Sequence, residues 1–219
     1  MSPLENLGFI LGTSFASGLN LYATMSVAGL LQRLDLVDLP PALAVLAHPV
    51  ILGLSLTLFL VEFLADKIPW VDSVWDMVHT FIRPPAAAVL AFGAMAGLDE
   101  PWRTGSALLA GAVALTSHGA KASTRAAANT SPEPFSNWLL SFAEDAVAIF
   151  LTWMATTHPV ITAIIVVVLL VVAVLILRAF YRALTGLRDR LRELVRPPTA
   201  AGPPGTGMPP PPPPSDAPG

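Results

Sequence analysis

Apolar stretches broken by short polar segments run through the whole chain. The clearest is Val160 to Leu177, eighteen residues without a charge. That length predicts a membrane-crossing helix. Five shorter or less pure stretches precede it: Leu4–Leu31, Val50–Ala65, Ala86–Leu98, Thr104–Thr116 and Ser136–Thr157. The first is rich in small and polar residues, with Gly8 and Gly12 at the spacing that lets helices approach closely. It reads either as one helix buried among neighbours or as a helix interrupted near Ser17-Gly18-Leu19-Asn20, lining a cavity.

Two of the breaks are unusual. Ile68 to Pro85 carries Trp70, Trp75, Met77, Val78, Phe81 and Ile82 at helical spacing between prolines. It is too short and charged to cross a bilayer and too apolar to float free, which predicts a re-entrant or interfacial half-helix. His118 to Asp145 holds a histidine, two cations, three acids and two prolines between apolar flanks. The two breaks resemble each other, and Ser73-x-Trp75 can be set on Ser136-x-Trp138 without a gap. A weak internal repeat of the kind found in transporters is the reading this suggests.

Composition strengthens the membrane reading. Of 219 residues, 54% are hydrophobic and 12% charged, with mean hydropathy +0.66. Soluble domains carry about 25% charged residues. The absence of cysteine excludes disulfides, thiolate metal sites and cysteine nucleophiles. The start, MSPLENLGF, has no basic region, so a cleaved leader is not expected. A net charge of −3 carries no message about nucleic acid, and no basic patch with interleaved aromatics supports such a role, so no nucleic-acid partner is expected. With six spans, ten of the twelve cationic residues fall on the side of both termini, leaving Arg33 and Arg103 opposite. Both termini are therefore expected in the cytoplasm. After Leu177, six arginines and Leu184, Leu187, Leu191 and Leu194 predict a basic amphipathic helix. From Pro197 the proline- and glycine-rich tail has nothing to bury and is expected to be disordered.

The polar residues suggest a centre. Lys121 and Arg125 share a helix face with His118 just before them; Glu144 and Asp145 are adjacent. One reading is a structural ion pair between helices. A second is an anion site: Arg83, Lys121 and Arg125, with Asn20 and Asn137, would bind a phosphate or carboxylate. The helix start near Pro134-Phe135 would assist them. A third is proton coupling or gating through Glu62, Asp66, Glu144, Asp145 and His118. Glu62-x3-Asp66 and Asp72-x3-Asp76 could hold Mg²⁺ on a diphosphate, but a solvated helix face accounts for such pairs more cheaply, and no metal or cofactor is expected. No serine-elbow or HExxH pattern is present.

Several motifs resemble a bacterial membrane family catalogued as a domain of unknown function, number 4126. They are Gly18-Leu-Asn20-Leu-Tyr22-Ala-Thr24, Phe63-Leu-Ala-Asp66-Lys67-Ile-Pro69-Trp-Val-Asp72-Ser-Val-Trp75-Asp76, His79-Thr-Phe-Ile-Arg83-Pro84, His118-Gly-Ala-Lys121 and Asn129-Thr-Ser-Pro-Glu133-Pro-Phe-Ser-Asn137-Trp. The resemblance covers roughly Leu4 to Ala155. It implies an integral membrane protein and no activity. In style, the acid-bearing linkers are also similar to lipid-carrier flippases of the DedA type, by architecture more than by matched residues.

The expectation is an all-α integral membrane protein with about six transmembrane helices, two proline-broken amphipathic linkers and a disordered tail. Residues 1–177 form the polytopic domain, 178–196 the basic cytoplasmic helix and 197–219 the tail. The expected function is a non-enzymatic transporter or flippase-like carrier of a small anion or lipid phosphate in the bacterial cytoplasmic membrane. The alternatives are a scaffold whose charged centre is structural and whose tail recruits a cytoplasmic partner, and, more remotely, a small intramembrane lipid-modifying enzyme. The expected partners are the lipid bilayer and an anionic lipid or small anion, with homo-oligomerisation left open.

Overall fold

The structure, a computed structural model, describes residues 2–129 and 134–195. The tail expected to be disordered, 197–219, lies outside the described residues, as do Thr130 to Glu133 of the second linker. Every regular element among the described residues is helical. In chain order they are α1 (Pro3–Leu19), α2 (Leu21–Arg33), a 3-10 helix (Pro41–Ala47), α3 (Pro49–Ala65), α4 (Pro69–His79), α5 (Arg83–Ala94), α6 (Glu100–Ala128), α7 (Pro134–Thr157) and α8 (Pro159–Val195). The chain divides into one unit reaching Tyr181 and a second beginning at Arg182.

Local chemistry sets the ends of α1. Ser2 and Glu5 form a reciprocal capping box, with Pro3 in the first turn, where its missing N–H costs nothing. At the other end Asn20 adopts an extended backbone (φ −149°, ψ 102°) and stops the helix. Its side-chain oxygen then accepts the Ala23 N–H at 2.8 Å and caps α2. The first apolar stretch is thus two helices, the interrupted reading of the two. The packing reading of its glycines also holds. Gly8 lies against the Pro159 carbonyl and Gly12 against Thr162 and Ala155, where a Cβ would have no room. Every residue from Gly8 to Leu19 except Thr13 is buried. Leu11, Phe15 and Leu19 of α1 share a core with Val113 of α6, Leu151 of α7 and Val166 of α8. The first helix is therefore central to the bundle.

Among the described residues two helices are long and apolar enough to cross a membrane: α7, over Asn137–Thr157, and α8, over Pro159–Leu194. The 3-10 helix and α3 pass the same test together, bent by 67°. The expected third span shrinks to α5, whose twelve residues reach about 18 Å, short of a hydrocarbon core of about 30 Å. In the second linker His118, Lys121 and Arg125 lie on one helix, as their spacing indicates, and α6 runs on to Ala128. Pro134 starts α7, which continues through Trp138 to Thr157. Among the described residues only the first linker forms a separate short amphipathic helix, α4. The two linkers are therefore not structural copies.

The surface of the first unit is inverted relative to a protein built for water. On α4, Trp70 is 85% exposed and Val74, Met77 and Val78 point outward, while Asp72, Asp76 and His79 are buried. Leu54, Leu60 and Leu64 are exposed on α3, where Glu62 is fully buried. Apolar residues outside and charges inside suit a chain whose solvent is lipid.

Candidate functional site

The helix break at Asn20 creates the need that the site answers. Ending α1 leaves carbonyls of its last turn without helical N–H partners, at the negative end of the helix dipole. Arg83 Nη1 donates to the Gly18 carbonyl at 3.0 Å, and Lys121 Nζ to the Leu19 carbonyl at 3.1 Å. Both cations then meet acids from α3. Arg83 Nη2 donates to Glu62 Oε1. Lys121 reaches the same oxygen at 3.4 Å and Asp66 Oδ2 at 3.2 Å. Beside the start of α2, at the positive end of its dipole, Asn20 Nδ2 donates to Asp145 Oδ1 at 2.9 Å. The broken helix thus presents its two ends to opposite charges.

One turn beyond Lys121, all five N–H groups of Arg125 find acceptors. Nε and Nη2 donate to Glu144 Oε2 at 3.0 and 2.7 Å; Nη2 also reaches Asp66 Oδ2 at 3.0 Å. Nη1 donates to the Asp66 carbonyl at 3.0 Å and to Asn137 Oδ1 at 3.1 Å. Asp72 Oδ1 stands 3.5 Å from Nη1. The i, i+4 cations of α6 therefore face the i, i+4 acids at the end of α3, which is why the sequence carries both at one spacing.

The histidines are fixed by their partners. An arginine only donates, so His118 Nδ1, 2.7 Å from Arg83 Nη1, must accept. Its Nε2 then carries the proton, facing the Asp76 carbonyl at 3.1 Å and Thr80 Oγ1 at 2.9 Å. Protonating His118 would turn its Nδ1 donor towards another donor. His79 Nδ1 donates to the Trp75 carbonyl at 2.8 Å, and its Nε2 faces the Tyr22 hydroxyl at 3.1 Å. His118 is thereby a positioning group for Arg83 more readily than a proton relay.

All ten residues singled out in the sequence meet here: Asn20, Glu62, Asp66, Arg83, His118, Lys121, Arg125, Asn137, Glu144 and Asp145 are each buried. Asp72 and Asp76 were expected on a solvated face; instead both are buried against the cations, with Asp76 Oδ1 3.6 Å from Arg83 and 3.9 Å from Lys121. The outward turn of the α4 tryptophan and valines forces them inward. That signal was in the sequence, but reading it requires taking lipid as the solvent. Among the described residues the buried set holds six acids (Glu62, Asp66, Asp72, Asp76, Glu144 and Asp145) against three cations (Arg83, Lys121 and Arg125). Each of the six has at least one buried carboxylate oxygen with no hydrogen-bond partner.

A cleft of about 240 Å³ between α4 and α6 opens onto this set. Asp72, Asp76 and Arg125 line it, with Ser73, Thr80 and Ala122. At the corner between α3 and α4, Lys67 lies over the Phe63 ring at 3.6 Å, and its Nζ donates to Ser141 Oγ of α7 at 2.9 Å.

These features define an all-helical protein with apolar candidate spans and a buried, acid-rich ionic centre at a helix break. The chain belongs to the family described as Domain of unknown function (DUF4126), which matches residues 7–179 and so includes every residue of the centre. No curated protein and no solved structure matches the chain.

Proposed function

We propose that the chain is a multi-pass carrier of the bacterial cytoplasmic membrane that moves a small anion or a lipid phosphate together with protons. In this reading the broken α1–α2 pair and α3, α5, α6, α7 and α8 make up about six crossings, the short α5 being completed by the turns on either side of it, with both termini in the cytoplasm. The cation distribution along the sequence supports that orientation. The carrying observation is Arg125: it lines the cleft, yet every donor it has is taken by an acid, an amide or a carbonyl. An anion reaching it must displace a carboxylate, and a carboxylate gives way when it is protonated. The surplus of acids over cations supplies groups able to take that proton. Glu144, Asp66 and Asp72 then stand in for the substrate's own charge in the empty carrier.

The test uses the full chain in liposomes with an internal pH dye. Inorganic phosphate outside, or a fluorescent phospholipid scored by quencher access, serves as the probe. Substrate movement should acidify the lumen and vanish in Arg125→Gln. Full movement in Arg125→Gln, or movement without protons, would sink the reading.

One observation favours a scaffold instead. Arg83 and Lys121 are locked to the end of α1 and look structural. On that reading Arg83→Ala and Glu144→Gln lose stability together, and no probe moves in any variant.

A further inference from the structure

We propose that Asp72 is the carboxyl that takes up the transported proton, loaded through the cleft between α4 and α6. The inference rests on the carrier reading and names the group that begins its cycle.

Asp72 differs from the four acids contributed by α3 and α7. Glu62, Asp66, Glu144 and Asp145 each accept at least one hydrogen bond from a side chain. Asp72 has no accessible surface, and neither of its oxygens has a hydrogen-bond partner. Arg125 Nη1, at 3.5 Å, is too far to bond it and already serves the Asp66 carbonyl and Asn137. A buried carboxylate without donors is the costliest kind of polar group to keep charged. The groups around it do not remove that cost. Asp76 shares its helix, Asp66 ends α3, Lys121 and Arg125 come from α6, and Glu144 comes from α7.

Two ligands could neutralise it, a metal ion or a proton. Among the described residues no group of three histidine, aspartate or glutamate side chains is arranged to hold a metal ion. The proton remains. Burial pushes the Asp72 carboxyl up to about 7, against the pull of Arg125, with Asp76 and Asp66 adding to the rise. The cleft, which Asp72 lines beside Ser73 and Thr80, stops short of its buried oxygens, so loading requires α4 and α6 to part slightly there. The step is simple in atoms: a hydronium in the cleft gives its proton to an oxygen lone pair of Asp72 and leaves as water. The carboxylate loses its charge and Arg125 loses one of its three acidic neighbours on the cleft side. That prepares Arg125 for the incoming anion.

The experiment compares the full chain with Asp72→Asn in the pH-dye liposomes, with inorganic phosphate as probe. The same proteins are also followed by infrared difference spectroscopy between about pH 5 and about pH 9, which spans a carboxyl titrating near neutrality. The proposal expects proton movement to fall at least about tenfold in Asp72→Asn. It also expects the carbonyl band of a protonated buried carboxyl to be present in the unaltered chain and missing from the variant. Because the chain has no cysteine, Ala122→Cys supplies a single thiol in the cleft. An impermeant thiol reagent should label it and slow proton movement. If protons move in the unaltered chain and Asp72→Asn moves them equally, the Asp72 inference fails while the carrier reading stands. If nothing moves even in the unaltered chain, the carrier reading fails. The infrared band then decides Asp72 alone: a band retained in the variant overturns it, and a band lost supports it.

Discussion

Arg83 and Lys121 rest on the broken end of α1; Arg125, one turn beyond Lys121 on the same helix, rests beside the cleft. The first two each spend a donor on a backbone carbonyl of α1, and both share Glu62. Their positions are set by the chain's own backbone, which cannot leave without unmaking the helix end. Arg125 is held mainly by side chains, two acids and an amide, with a third acid standing off at 3.5 Å. Side chains can be protonated or rotate away. A buried cation is therefore a fastening in one half of the centre and an exchangeable contact in the other. Each of the three also bonds one carbonyl at a helix end, that of Gly18, Leu19 or Asp66; what separates Arg125 is that it lines the cleft beside Asp72.

That contrast can be broken by mutation. The largest effect should come from the fastened half. Glu62→Ala strips the acid that Arg83 and Lys121 share and leaves buried charge uncompensated, a loss of about 3–5 kcal/mol. Unfolding in detergent measures it. A loss below about 1 kcal/mol would mean that the fastened half is no more structural than the exchangeable one.

Next comes Gly18→Ala, at the point where α1 ends. A Cβ there would stand 1.8 Å from Ser117 Oγ and 2.4 Å from the Ala114 carbonyl, so α1 and α6 must part. Overpacking of this kind costs about 1–3 kcal/mol. It should also disturb Arg83, which bonds the Gly18 carbonyl. Unaltered stability would show that the α1–α6 contact gives way freely.

The exchangeable half should answer to pH. Burial holds the Asp72 carboxyl near 7, above its unfolded value, so the folded state binds more protons in between. Stability from this group is complete at pH below the unfolded carboxylate range. It is lost as pH rises from about 4 through about 7. Asp72→Asn should flatten that part of the stability–pH curve and leave stability at high pH equal or greater. A curve of unchanged slope would remove Asp72 from the exchangeable half.

The smallest effect should be Asn137→Ala. It removes one acceptor from Arg125 Nη1, which keeps the Asp66 carbonyl, for about 1 kcal/mol. A loss as large as that of Glu62→Ala would place Arg125 among the fastenings and remove the contrast.

Much of this was legible in the chain. The apolar segments, the short amphipathic helix at Pro69–His79 and the ten polar residues of the centre follow from hydropathy, periodicity and the cost of charge beside lipid. The small-residue character of the first segment carried both its meanings, close packing at Gly8 and Gly12 and a break at Asn20. Periodicity could not decide where a helix stops. The spacing of His118, Lys121 and Arg125 gave their shared helix, but Trp138 looked like part of a short helix of its own, and it lies in α7, which runs unbroken from Pro134 to Thr157. Nor could spacing say which acid serves which cation, because Glu62 and Lys121 lie 59 residues apart.

By itself, then, the sequence determined that charges had to gather inside an apolar envelope. Twelve per cent charged residues, placed between stretches suited to lipid, leave them nowhere else to pair. Only the tertiary structure decided the pairing. The end of α1 meets α3, α5 and α6 at one point, and there the helix's free carbonyls claim Arg83 and Lys121. Arg125 is left to the acids, and Asp72 is left without a hydrogen bond. Those outcomes depend on distances between groups far apart in the chain, which local patterns of residues do not encode.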